Sequence, residues 1–122
     1  MIHPLRQLAL LFVLLACFTP VMAAPLQVQK VTDGAYALVG ELGQRSPENL
    51  GNNATFGVIV TGDSVVLVDP GGSFNGAKQI HKATQSITDK PVRLVINTGG
   101  QDHRWLGNGY FKARGARIVA SA

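Results

Sequence analysis

Chemistry concentrates in one short stretch of this chain and one isolated acid. Asp102 and His103 stand side by side. A carboxylate and an imidazole are two donor types that a borderline ion such as zinc accepts. The same pair also reads as a helix-capping aspartate followed by a surface histidine. A catalytic zinc ion needs three protein ligands and an open position, and this pair supplies at most two of them. His81 falls inside a helical pattern and His3 in the opening residues, so neither extends the pair. Gly99-Gly100 could turn backbone N–H groups onto an anion. No Lys-Ser/Thr of a phosphate loop follows, and a plain turn is the simpler reading. Asp69 ends an apolar run just before Pro70-Gly71-Gly72, where a carboxylate readily accepts backbone N–H bonds.

The surrounding pattern says what holds these residues. Leu26 to Val31 alternates as an edge strand, Asp33-Gly34 marks a turn, and Ala35 to Val39 completes a hairpin. Gly40 to Asn53 is rich in Gly, Asn, Pro and Glu without periodicity, so it is a loop. A loop of that length is either functional or simply flexible. Ala54 to Thr61 and Ser64 to Asp69 form a second hairpin across Gly62-Asp63. The unbroken apolar run of Val65 to Val68 predicts burial on both faces. Ser73 caps a helix reaching about Thr88, with Ala77, Ile80, Thr84 and Ile87 on one face. Val92 to Asn97 is a further buried strand, Trp105 to Arg114 a short helix, and Arg117 to Ala120 a last strand. Trp105, Leu106 and Phe111 read as core.

Two β-hairpins followed by βαβαβ make an α/β fold, with parallel strands in its second part. Ligand sites of such sheets gather at the carboxyl ends of the strands. Two segments qualify: Asp69 to Gly72 and Asn97 to His103.

The first 23 residues need separate treatment. Arg6 precedes an apolar run from Leu8 to Phe18, and Val21-Met22-Ala23 follows Pro20. That is the order of a secretory signal, with cleavage expected after Ala23 and a domain spanning 24–122. The run is shorter than the roughly 20 residues a membrane-spanning helix needs. A second reading is a lipobox, Leu14-Leu15-Ala16-Cys17, which would make Cys17 a lipidated mature terminus. Either way the protein is expected outside the cytoplasm, periplasmic or secreted, or else anchored through Cys17.

The chain has 122 residues with 46% hydrophobic and 15% charged residues, which excludes disorder and more than one domain of ordinary size. Its single cysteine excludes a disulfide framework and multi-cysteine zinc modules. The net charge of +4 gathers late, at Arg104, Lys112, Arg114 and Arg117. No aromatic interleaving or nucleic-acid motif accompanies it, so it reads as a solvated face and no nucleic-acid partner is expected.

Several short pieces occur in a telling order: Gly34-Ala35-Tyr36, Asn53 to Val60, Val66 to Asp69, Lys90-Pro91-Val92, Val95 to Thr98, and Gly107-Asn108. In this the chain resembles the N-terminal part of a metallo-β-lactamase-fold hydrolase, from about Leu26 to Ser121. The resemblance implies half of an αββα sandwich with one or two zinc ions at the sheet edge. It implies hydrolysis of an ester, amide, thioester or phosphoester by metal-bound hydroxide, whose pKa the metal lowers to roughly 7. It implies metal ligation by Asp102 and His103. Asp69, Thr98 and Gln101 would then lie in or behind the ligand loop, and Gly40 to Asn53 would be a substrate flap.

The family's first ligand cluster is His-x-His-x-Asp-His after a strand ending in Asn-Thr. After Asn97-Thr98 this chain reads Gly99-Gly100-Gln101-Asp102-His103-Arg104-Trp105-Leu106-Gly107-Asn108. Without gaps the two leading histidines become Gly99 and Gln101, the aspartate becomes His103 and the last histidine becomes Arg104. With a deletion before Asp102 and an insertion after His103, the Asp-His pair is retained. Both alignments stay open, and neither restores the first two histidines.

The family's later ligands belong to a C-terminal half that this sequence does not contain. The expectation is therefore a hydrolase fragment, truncated and inactive by itself, with an apolar sheet face left open to self-association. The rival is a non-catalytic exported α/β binding or interaction module that has lost the metal site. A small-molecule substrate is the expected partner of the hydrolase.

Overall fold

A computed structural model describes residues 19–20 and 22–121. The apolar run Leu8 to Phe18, Cys17 and Val21 lie outside the described residues. None of the described helices is long and apolar enough to cross a membrane.

The strands are β1 (Gln27–Thr32), β2 (Ala35–Val39), β3 (Thr55–Val60), β4 (Val65–Val68), β5 (Val92–Asn97) and β6 (Arg117–Ala120). Helix α1 (Phe74–Gln85) connects β4 to β5. A single 3-10 turn (Asp102–Arg104) and a short α2 (Asn108–Lys112) connect β5 to β6. The sheet runs in sequence order, with β1 to β4 antiparallel and β4 to β6 parallel. The two expected hairpins thus fuse into one four-stranded meander. Strands β2 and β3 pair across the Gly40–Asn53 loop, from Ala35↔Ile59 to Val39↔Thr55. The Gly40 N–H closes the base of that loop on the Ala54 carbonyl at 2.8 Å.

Helix α1 begins where expected. Ser73 is extended (φ −163°), and its hydroxyl accepts the Gly76 N–H at 2.9 Å. This satisfies one of the amides that the first turn leaves without an intrahelical partner. Beyond β5, the helix expected from Trp105 to Arg114 is shortened to Asn108–Lys112, and a 3-10 turn over Asp102–Arg104 precedes it. A turn from Trp105 to Gly107 separates the 3-10 turn from α2.

Both helices pack on one face of the sheet. Leu38, Phe56, Val58, Val65, Leu67 and Val95 meet Ala77 and Ile80 of α1 and Tyr110 and Phe111 of α2 in the core. Strand side chains alternate between faces, so the rows Ile59–Val66–Leu94 and Val68–Ile96–Val119 occupy the opposite face. The expected two-sided burial of β4 does not hold there. Val66 and Val68 are only half-buried, while Ile59 and Val119 are 43% and 38% exposed. The reason is architectural: among the described residues, both helices went to the other side.

Candidate functional site

The site is built at the carboxyl ends of β4 and β5. Asp69 follows β4 in a left-handed conformation (φ 63°), which aspartate tolerates better than most residues. Its N–H donates to the Ile96 carbonyl at 2.9 Å, extending the ladder by one bond. Its carboxylate is buried and accepts twice from Thr98, from the N–H at 2.8 Å and from the hydroxyl at 2.7 Å. Asp69 therefore ties the end of β4 to the end of β5. The Asn97 and Asn108 side chains make a reciprocal amide pair (2.9 and 2.8 Å) that ties β5 to α2.

The connection between these anchors leans on the Pro70-Gly71 turn. The Gly71 N–H donates to the His103 carbonyl at 3.1 Å, and the Gly107 N–H to the Gly71 carbonyl at 2.9 Å. Contact is so close that a Cβ on Gly107 would collide with the Pro70 carbonyl oxygen. These bonds set the position of the 3-10 turn carrying Asp102, His103 and Arg104.

The Gly40–Asn53 loop closes over the same turn. Buried Asn49 holds the loop together, its side-chain oxygen accepting from the Ser46 and Gly51 N–H groups and its amide donating to the Gln44 carbonyl. Buried Asn52 stitches the loop to α1. Its amide donates to the Gly76 carbonyl (3.0 Å) and the Gln79 side chain (2.9 Å), and its oxygen accepts the Gly72 N–H. Arg45 then reaches the site. One guanidinium nitrogen donates to the Gly72 carbonyl at 2.6 Å, and the other pairs with the Asp102 carboxylate.

Asp102 departs from its expected role as helix cap. The cap position belongs to Gln101, which makes no side-chain cap bond, and the Asp102 carboxylate faces Arg45 instead. His103 lines one small cavity of about 360 Å³ together with Arg45, Gly51, Asn53, Gln101 and Asp102. Thr98 and Gln101 instead engage Arg104. Its guanidinium donates to the Thr98 hydroxyl at 2.7 Å and to the Gln101 side-chain oxygen at 2.6 Å. Trp105 and Leu106 are surface residues rather than core. Trp105 is 46% exposed, and its indole N–H donates to the Gly100 carbonyl at 3.2 Å. Phe111 is buried as expected.

Sequence reasoning missed Arg45 and Asn52. The signal for Arg45 was present: it is the only cation among residues 40–53. Nothing in local sequence spacing marks a partner 57 positions away.

The donor set does not fit a zinc ion. Among the described residues no three of His, Cys, Asp and Glu come together. No buried side-chain nitrogen or oxygen among them lacks a hydrogen-bond partner, so none waits for an ion. A guanidinium already sits against Asp102, and a second cation there would meet like charge.

Residues 51–120 match the profile of the metallo-beta-lactamase superfamily. Among solved structures, the metallo-β-lactamase FIM-1 from Pseudomonas aeruginosa, in its mono-zinc form, superposes with a TM-score of 0.64 at 18% identity. That match covers 82% of this chain and 43% of the other. A metallo-β-lactamase from Hirschia baltica gives 0.64 at 21% identity over 80% of this chain and 43% of its own. One from Pontibacter korlensis gives 0.63 at 16% over 79% and 43%. At these identities the likeness concerns the fold, and the chain spans less than half the length of each structure. The profile match covers more than half of the sequence, and the fold agrees with it: this chain belongs to the metallo-β-lactamase superfamily.

Proposed function

We propose that this chain is an exported, non-catalytic binding module of the superfamily, in which an arginine clamp stands where the fold's metal ligands would be. One observation carries the reading: the Asp102 carboxylate pairs with Arg45, and neither alignment of the segment after Thr98 restores the two leading histidines. A small molecule is its natural partner, given the size of the cavity beside His103. No nucleic acid is expected, and a membrane only through lipidation of Cys17.

The order of residues 1–23 supports export. Ala24 is tied to the fold, its N–H donating to the Glu48 carbonyl and its carbonyl accepting from the Gln79 side chain. Mass spectrometry of the mature N-terminus separates cleavage after Ala23 from lipidation at Cys17. The half-open face around Ile59, Val66 and Val119 supports self-association. Size-exclusion chromatography with light scattering tests this, and a clean monomer removes it.

A second reading keeps zinc-dependent hydrolysis, with Asp102 and His103 as ligands completed by donors beyond this chain. It is favoured by the fact that the two residues line one cavity. Zinc content of the desalted protein, with His103→Ala alongside, decides between the two. No stoichiometric zinc in a folded sample, and no hydrolysis of ester, amide, thioester or phosphoester probes, is the expected result. About one zinc per chain, lost in the variant, establishes the second reading instead.

A further inference from the structure

The clamp has the composition of an exchangeable anion site. Arg45 is held from behind by the Gly72 carbonyl, so its head group keeps its position if Asp102 lets go. The Asp102 carboxylate, by contrast, sits on a short exposed turn, with 59% of its side chain open to solvent. An exposed ion pair of this kind is weak, because water and salt compete for both partners. The cavity beside the pair is lined by the Arg45 guanidinium, the His103 ring, the Gln101 side chain and the Asn53 amide, which also donates to the Gly43 carbonyl. A second cation, Arg104, stands on the same 3-10 turn. Its two hydrogen-bond partners, Thr98 and Gln101, are both neutral. The other nearby acid, Asp69, is buried and spent on Thr98, so it does not compete for Arg45.

The geometry points to a site for a small carboxylate, in which Asp102 is the resident occupant and a ligand's carboxylate takes its place on Arg45. A carboxylate is the chemistry indicated, because a carboxylate already makes this contact through one guanidinium nitrogen while the other is held by the Gly72 carbonyl. Asp102 then acts as an internal competitor that sets the affinity. This assignment rests on the binding-module reading and names its ligand class.

The consequence is a pair of variants with opposite effects. Titration of the protein with glutarate at constant ionic strength is followed by calorimetry and by emission of the single tryptophan, Trp105, which is bonded to Gly100 beside the site. Wild type binds weakly. Arg45→Met weakens binding at least tenfold. Asp102→Asn removes the competitor and tightens binding by up to fivefold, the range an exposed pair allows. Both side chains are solvent-exposed, so both variants fold, and circular dichroism checks this. The assignment is overturned by an absence of binding in wild type and Asp102→Asn alike, or by binding that Arg45→Met leaves unchanged. Inorganic phosphate run in parallel overturns the carboxylate assignment if it alone binds with the same variant pattern. Stoichiometric zinc in the same sample would instead break the underlying binding-module reading, so the two failures are distinguishable.

Discussion

Two acids of the same site, Asp69 and Asp102, lead opposite lives. Asp69 is buried, adopts a left-handed backbone conformation and gives both carboxylate oxygens to Thr98. Asp102 is exposed on a three-residue turn and faces a long, flexible arginine from a distant loop. The first is part of the frame that aligns β4 with β5; the second is part of the surface that a ligand meets. The difference teaches that this site has a buried frame and an exposed occupant, the Arg45–Asp102 pair. Frame and occupant are separable because different forces hold them. Buried charge-assisted bonds resist loss, whereas an exposed ion pair contributes little to stability.

The sharpest way to break this contrast is to remove the frame. Asp69→Ala leaves the Thr98 N–H and hydroxyl without their acceptor and places alanine at positive φ. A loss of about 3 kcal/mol in unfolding free energy is expected from urea denaturation. A loss below about 1 kcal/mol would mean that water replaces the carboxylate and that Asp69 is no anchor. Next in size is Gly107→Ala, whose new methyl meets the Pro70 carbonyl and the Ala77 side chain. Backbone cannot yield as a flexible side chain does, so about 2 kcal/mol is expected by the same measurement. Zinc-free anion binding should fall in parallel, because the turn carrying Asp102 and His103 moves off Gly71.

The occupant should behave differently. Arg45→Met is expected to shift unfolding free energy by less than about 1 kcal/mol, since it removes an exposed pair and keeps the apolar stem. A larger loss would show that the Gly72 contact, rather than the ion pair, is the function of Arg45. It would also move Arg45 into the frame.

How much of this was legible in the sequence follows from the range of each interaction. Ser73, the apolar period of α1 and the β-branched runs act locally, and they place the elements to within a few residues. Asp69 and Asn97-Thr98 were legible as strand ends, because Pro70-Gly71-Gly72 and Gly99-Gly100 stop the strands at once. The pairing of β2 with β3 was not legible, because a 14-residue loop hides it. Nor was the one-sided cover of the sheet. An unbroken run such as Val65 to Val68 fits a strand packed on both faces, and only the placement of α1 and α2 leaves one of them half-open. The Arg45–Asp102 pair is the extreme case, a contact between two loops with no periodicity in either. The resemblance pointed to Asp102 as a ligand. The charge at Arg45 could have pointed to the pair, because a cation in a loop already suspected of covering the site needs an anion somewhere.

The smallest expected effect separates frame from cleft by acid. His81 on α1 donates to or accepts from the Tyr110 hydroxyl at 2.9 Å and packs edge-on against the rings of Tyr110 and Phe111. Burial lowers its pKa below the ordinary 6.5, and the Arg114 guanidinium adds to this. That guanidinium stands over the Tyr110 ring, while Lys78 and Lys82 share the histidine's own helix. The folded chain therefore prefers neutral His81. Its contribution is fully present above pH 6.5 and is lost as pH falls from there through the lowered folded value, since the unfolded state binds the proton first. His81→Gln keeps a polar partner for Tyr110 and cannot titrate. Thermal melts between pH 7.5 and 5 should lose less stability in this variant than in wild type, while glutarate binding is unaltered. If the two proteins lose stability in parallel, acid acts elsewhere. The α1–α2 packing then ceases to be what responds to acid.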